Sequence, residues 1–217
     1  MARTLILIIC LFVVKSSFAQ KNTERLYVFV GERISVHEFK QKEDPPTIDP
    51  KTGDTLRTII FDASFKAKYK VIKNVFNKYD KDTIEFEAYD HYGKPMFSRY
   101  KYVLLFVYKV GDKYYHSKYL FYEVYPTRNG RWASACEPRS TMWHDDFEKS
   151  RAKAVPIQFS KKVSFKIRKV QPSLRGLLTE PYFTIKHDKA IALMGTYVDD
   201  LFKIEADGNL KARGWEF

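Results

Sequence analysis

"SFKAKYKVIKNVF", residues 64–76, decides the fold. Phe65, Ala67, Tyr69 and Val71 alternate with Lys66, Lys68 and Lys70. A period of two belongs to a strand with one face buried and one in water. The phase slips at Val71-Ile72, which predicts a bulge or a sharp bend. "NKYDKD" then turns the chain into "TIEFEAY" (83–89), where Ile84, Phe86 and Ala88 share the apolar side. After a second turn, "DHYGKP", the segment "YKYVLLFVYKV" (100–110) is apolar on both faces at its centre and reads as a central strand. "GDK" folds it back on "YYHSKYLFYEVY" (114–125) as a hairpin.

Working outward, "RLYVFV" (25–30) and "RISVHE" (33–38) are short strands about Gly31. Residues 40–56, "KQKEDPPTIDPKTGDTL", form a polar loop with three prolines and no periodicity. Past the hairpin, "SACEPRSTMWHDD" (134–146) is the least strand-like stretch, and "DDFEKSRAK" (145–153) predicts a short helix with Asp145 as its N-cap. "KKVSFKIRKV" (161–170) reads as a basic alternating strand, and "LFKIEADGNLKARGWEF" (201–217) as a closing hairpin about Asp207-Gly208.

Runs of strands with little helix and no strand–helix alternation predict an all-β fold. The architecture expected is an OB-like, partly open barrel of antiparallel strands with a C-terminal β extension and at most one or two short helices. Its expected divisions are a leader (1–19), short strands and a Pro-rich loop (20–56), the barrel (57–135), a connector with a helix (136–160) and the β extension (161–217).

The block from about 58 to 125 resembles an OB-fold of the netrin-like kind, the module of tissue inhibitors of metalloproteinases. The residues that carry the likeness are "FKAKYKVIKNVF" as a long bent first strand, the turn into "DTIEFEAY", and "YKYVLLFV" before a hairpin. The resemblance implies an OB-like barrel with a binding role. Inhibitors of that family begin the mature chain at a cysteine and carry several disulfides. This chain keeps only Cys136 beyond its leader, so their inhibitory residues do not transfer.

The leader itself is read from Arg3, the apolar run Leu5–Val14 and "SSFAQ", a small-x-small cleavage pattern ahead of Gln20. Its removal takes Arg3 and Lys15 and lowers the formal charge from +12 to +10. An exported chain with one cysteine does not rest on disulfides. A bacterial periplasmic or cell-surface protein is the expectation, with no transmembrane segment after cleavage.

Several residues could carry function. His144, Asp145 and Asp146 combine imidazole and carboxylate, a donor set suited to divalent metals, with His91, His116 or Glu137 needed to complete it. Cys136 with His144 as base would make a hydrolytic nucleophile. Against both stands a polar connector leading into a capped helix. Lys66, Lys68 and Lys70 form one basic strand face, and Lys166 and Arg168 belong to another; with exposed tyrosines they suit polyanions. Glu85 and Glu87 opposite Lys66–Lys70 would instead make an ordinary cross-strand ladder. In "YDHYGKPMF" (89–97), His91, Tyr92 and Phe97 are candidates for surface recognition.

The leading expectation is therefore a non-catalytic binding protein acting through loops and a basic, tyrosine-rich sheet face. Its partner would be an envelope protein or an acidic glycan or lipid surface; nucleic acid is a poor ligand for an exported chain, and no cofactor is implied. The alternatives are a metal-dependent or Cys/His enzyme built on 136–146, and a peripheral envelope assembly component.

Overall fold

The computed structural model describes residues 24–42, 45–138 and 144–217. The leader (1–19) lies outside the described residues, as does part of the 134–146 connector. In chain order the barrel and its loops hold β1 (Arg25–Phe39), β2 (Thr47–Ile48), β3 (Thr55–Leu56), β4 (Ala63–Phe76), β5 (Thr83–Asp90), β6 (Tyr102–Val110) and β7 (Lys113–Glu123). There follow β8 (Tyr125–Pro126), β9 (Trp132–Ser134), α1 (His144–Ala152), β10 (Val155–Pro156), β11 (Ser164–Lys166), β12 (Phe183–Lys186), β13 (Lys189–Ala192), β14 (Met194–Tyr197) and α2 (Val198–Glu205).

Five long strands close a barrel in the order β1-β4-β5-β7-β6. All pairs are antiparallel except β5 and β7, which meet in parallel at Glu87 and Tyr115. The barrel is therefore OB-like, closed rather than partly open, and mixed rather than wholly antiparallel. The two short strands read about Gly31 are one 15-residue strand, and this strand, not 64–76, opens the barrel. Gly31 explains the continuity: a Cβ there would meet Tyr69 at 3.0 Å, Phe29 at 3.1 Å and Leu105 at 3.3 Å. The strand crosses the packed interior where a side chain does not fit.

The phase slip in β4 is a bulge. Val30 pairs with Lys73 while Gly31 pairs with Val71, leaving Ile72 unpaired. Before it, Phe65, Ala67 and Tyr69 point into the barrel with Ile84, Phe86, Phe97, Leu105 and Phe121. After it, Val75 and Phe76 turn to an outer cluster built on Leu26, Val28, Val30, Leu104, Phe106 and Tyr122. Strands β1 and β6 are thus buried on both faces, which accounts for the uninterrupted apolar centre of β6.

The outer cluster is capped by helix, not by the hairpin expected over 201–217. Val198 and Leu201 of α2, followed by Leu210, seal it. Asp199 and Asp200 lie in the first turn of α2 and Lys203 in the last, matching the helix dipole. Asp207-Gly208 marks a kink in this helical segment, with Gly208 at φ −108° and ψ −107°.

The C-terminal region has its own core, in which Phe183, Ala190, Val163, Leu178 and Phe159 pack together. Its strands form a β11-β13-β12 sheet and a β10-β14-β9-β8 sheet. The basic strand expected over 161–170 is only three residues of β11. Arg168 falls in the 3-10 turn that follows, so Lys166 and Arg168 do not share a strand face. Among the described residues no helix is long and apolar enough to cross a membrane.

Gly195 joins β14 to both neighbours, and a Cβ there would lie 2.4 Å from the Ser134 carbonyl oxygen. Backbone cannot yield as a flexible side chain can. Gly195→Ala is expected to cost about 1–3 kcal/mol by overpacking, read as a fall in the denaturant midpoint. Gly176→Ala, which meets nothing within 4 Å, is the control.

Candidate functional site

The 136–146 stretch does not converge on one centre. Cys136 is buried, and its sulfur contacts Thr196 Oγ1 at 3.3 Å. Burial pushes its thiol above the ordinary range, with the Thr196 and Ser150 hydrogen bonds opposing. A protonated, enclosed thiol is a small packing group and a poor nucleophile. Asp145 is exposed in the first turn of α1, whereas Asp146 is buried on the opposite side. The His144 side chain lies outside the described residues. His91 and His116, proposed to complete a metal site, stand apart from this segment and from each other. His91 is on the β5 turn, and His116 is inside β7, its Nε2 2.9 Å from the Leu120 carbonyl. Among the described residues no three His, Cys, Asp or Glu side chains gather as metal ligands.

Asp146 belongs to a polar cluster that sequence reading missed. The Asn209 amide donates to Asp146 Oδ2 and, at 2.9 Å, to Glu205 Oε2. The Tyr122 hydroxyl donates to Glu205 Oε1 at 2.5 Å. Glu205 is 3% exposed, and the cluster ties α1, α2 and β7 together. Burial raises both carboxyl pKa values, with their hydrogen bonds opposing. No periodicity reveals it, since Glu205 falls in the segment read as a closing hairpin and looks like one more surface acid.

The lysine face of the barrel is a ladder. Lys66 stands across from Glu87 and Lys68 across from Glu85, while Lys70 faces Thr83. Lys68 bonds Glu85 at 2.8 Å and Lys113 bonds Glu87 at 3.3 Å. The side-chain bond to Lys68 leads the lowering of the Glu85 pKa. These residues, with Ser35, His37, Asp112 and Tyr114, line an open groove of about 360 Å³. The face is polar and grooved but close to charge-balanced, and so is less basic than its lysines alone suggest.

A different constellation forms at the root of the β1–β4 connection. Of the three candidates from 89–97, Phe97 is withdrawn: it is 1% exposed, at the centre of the barrel core with Tyr69, Phe86 and His116. His91 and Tyr92 remain at the surface, and Tyr92 is 82% exposed. Phe61, 71% exposed, has its ring 6.5 Å from His91, and Tyr92 lies 5.5 Å from His91 and 6.0 Å from Tyr119. Tyr119 adopts φ +68°, a left-handed conformation that a bulky residue holds only when its surroundings impose it. Asp62 clamps this rim, bonding Lys118 at 2.6 Å and approaching His91 at 3.7 Å.

From the rim an arm projects. Residues 45–61 are almost all exposed, and β2 and β3 pair only with each other. The hairpin holds itself: Asp49 Oδ1 accepts from the Lys51 amide at 2.8 Å, and Gly53 turns the chain at φ +76°. Yet Ile48, Leu56, Ile59 and Ile60 face solvent along with Phe61. No family model, curated protein or solved structure matches the chain.

The buried carboxylates set a pH dependence. A raised folded pKa means that the native state holds protons the unfolded chain has released. Their contribution is full below the ordinary carboxylate range and is lost as pH rises through the folded values. His116 works in the opposite sense. Burial depresses its pKa to about 3, so its contribution is present above the ordinary histidine value and is lost as pH falls. Glu205→Gln is expected to flatten the stability loss seen in urea titrations as pH rises above the ordinary carboxylate range. His116→Gln should flatten the acid limb below about pH 6.

Proposed function

We propose that the protein is a non-catalytic binding module that docks a partner protein through the 45–61 arm and the Phe61–His91–Tyr92–Tyr119 rim. The observation that supports this reading is the arm. It is ordered, makes no core of its own, and exposes Ile48, Leu56, Ile59, Ile60 and Phe61 together. Single exposed apolar residues are common, but a contiguous patch of several hundred Å² usually marks an interaction site. On an extended chain neighbouring side chains point to opposite sides. All three of Ile59, Ile60 and Phe61 are exposed, so a partner groove that admits the arm covers more of them than a flat surface does. Aromatic anchors such as Phe61 and Tyr92 are the residue types that dominate such contacts.

In this reading the protein works after export, in the bacterial periplasm or at the cell surface; the leader-like residues 1–19 support that. A netrin-like kinship of residues 58–125 belongs to the same proposal; the strand order of the barrel supports an OB-like fold and runs through β1 as well, outside that range. A second reading rests on the groove over β4 and β5. OB barrels bind ligands on this face, with the loop corresponding to the β6–β7 turn. Its balanced lysines and carboxylates suit a polar ligand such as an acidic glycan.

Photo-cross-linking in the native host separates the two readings. A benzophenone side chain at Phe61 is expected to give one discrete adduct, and one at Lys70 on the barrel face none. The captured partner, once purified, should bind Phe61→Ser at least about tenfold more weakly than wild type, as loss of a central aromatic anchor implies. An adduct from position 70 alone, or unchanged affinity of Phe61→Ser, overturns the proposal.

A further inference from the structure

The chain's net charge is not spread evenly. Residues 161–190 hold eight Lys and Arg against Glu180 and Asp188, a surplus of six out of the whole chain's +12. The structure gathers part of this surplus into one row. In the β11-β13-β12 sheet Lys189 is the direct partner of Lys166 on one side and of Lys186 on the other. Residues directly opposite on neighbouring antiparallel strands project to the same face, about 5 Å apart at Cβ. The next rung on that face is Ser164, Ile191 and Thr184. The opposite face carries Phe165 and Ala190 toward the core.

All three lysines are exposed, and among the described residues none has an acidic partner. The nearby charges deepen the imbalance: Arg168 and Lys169 follow β11, and the lone acid is Asp188, in the turn between Lys186 and Lys189. The barrel face, by contrast, sets Glu87 across from Lys66 and Glu85 across from Lys68, with Lys70 facing Thr83. Like charges directly opposite each other destabilise a sheet. The row thus carries a repulsion that a bound array of anions relieves.

We propose that this lysine row is a docking face for an anionic membrane surface, recognising headgroup phosphates. Geometry favours a surface over a soluble chain. The row lies on an exposed sheet face, with no groove wall to track a single polyanion. Its cations are lysine ammoniums, point charges without the planar fork that recognises one phosphate bidentately. Each contributes modestly, so the row is effective only where many anions are presented at once. This face is separate from the arm, and the proposal stands or falls independently of partner docking there.

The test is co-sedimentation of the purified chain with vesicles of phosphatidylcholine containing phosphatidylglycerol, against pure phosphatidylcholine. Binding is expected to the anionic vesicles only, falling steeply with salt. The triple variant Lys166→Gln, Lys186→Gln, Lys189→Gln should lose roughly a hundredfold in partition, from about fivefold per lysine near such a surface. Its thermal midpoint should match or exceed that of wild type, because repulsion has been removed. Lys66→Gln with Lys68→Gln should bind within about twofold of wild type, since Lys68 is ion-paired with Glu85 and Lys66 stands across from Glu87. If the triple variant fails to fold, Lys189→Gln alone should still lose about fivefold, the share of one lysine. Equal binding by wild type and the triple variant, or by wild type and Lys189→Gln where the triple variant does not fold, overturns the proposal. So does tighter binding to a soluble sulfated glycan at equal anion concentration, which would make the ligand a polyanionic chain.

Discussion

Everything in this molecule depends on β1 being paired along both edges and, over its first half, buried on both faces. Tyr27 and Phe29 fill the barrel, while Leu26, Val28 and Val30 support α2 from outside. One strand therefore joins two hydrophobic clusters, and at Gly31 it passes through the tightest point of the inner one. The consequence is asymmetry. The β1–β6–β7 side of the barrel is covered by Val198, Leu201 and Leu210. The β5 side, the first half of β4 and the β1–β4 connection lie outside this cover, whereas Val75 and Phe76 at the end of β4 pack beneath it. The arm and rim proposed for partner docking lie on that free side, which is set by where the outer cluster closes.

Charge follows the same division. On the barrel, lysines alternate with apolar residues because the strand is half-buried, and their carboxylate partners arrive with the register. Lys68 and Glu85 meet because Tyr69 and Ile84 must meet inside. Such exposed pairs contribute little to stability and leave little surplus charge. The β11-β13-β12 sheet follows the same rule with no acid on its outer rungs. The surplus therefore appears there, in a region with a core of its own and no share in the barrel's packing.

What could be read in sequence tracks this physics. The β4 and β5 alternation, the β6–β7 hairpin and the slip at Val71-Ile72 were legible because period two records burial directly. The closure by β1 was not. Gly31 breaks the apolar pattern and mimics a turn, although it is a close approach of side chains from Tyr69, Phe29 and Leu105. The segment 201–217 was misread as a hairpin because Asp207-Gly208 has turn chemistry, and the apolar spacing of Leu201, Ile204 and Leu210 is sparse. Phe97 looked exposed because turn residues surround it; its 3-10 turn folds the ring inward against His116. Glu205 and Asn209 were invisible, since a buried polar cluster forms only when distant elements meet.

The arm shows why exposure can be informative. The barrel explains its own residues: each buried ring has neighbours, and each solvent-facing lysine of β4 sits on a half-buried strand. Residues 45–61 satisfy no such account. Their hairpin is shaped by Asp49 and Gly53, and their root is held by Asp62 with Lys118 and by Gln41, which donates to the Asp62 carbonyl at 3.1 Å. None of this requires Ile48, Leu56, Ile59, Ile60 or Phe61. Polar residues would serve the hairpin as well and keep the surface better hydrated. Side chains that the fold does not need, placed on a clamped base beside a tyrosine held in a strained conformation, are what the proposed partner contact would account for.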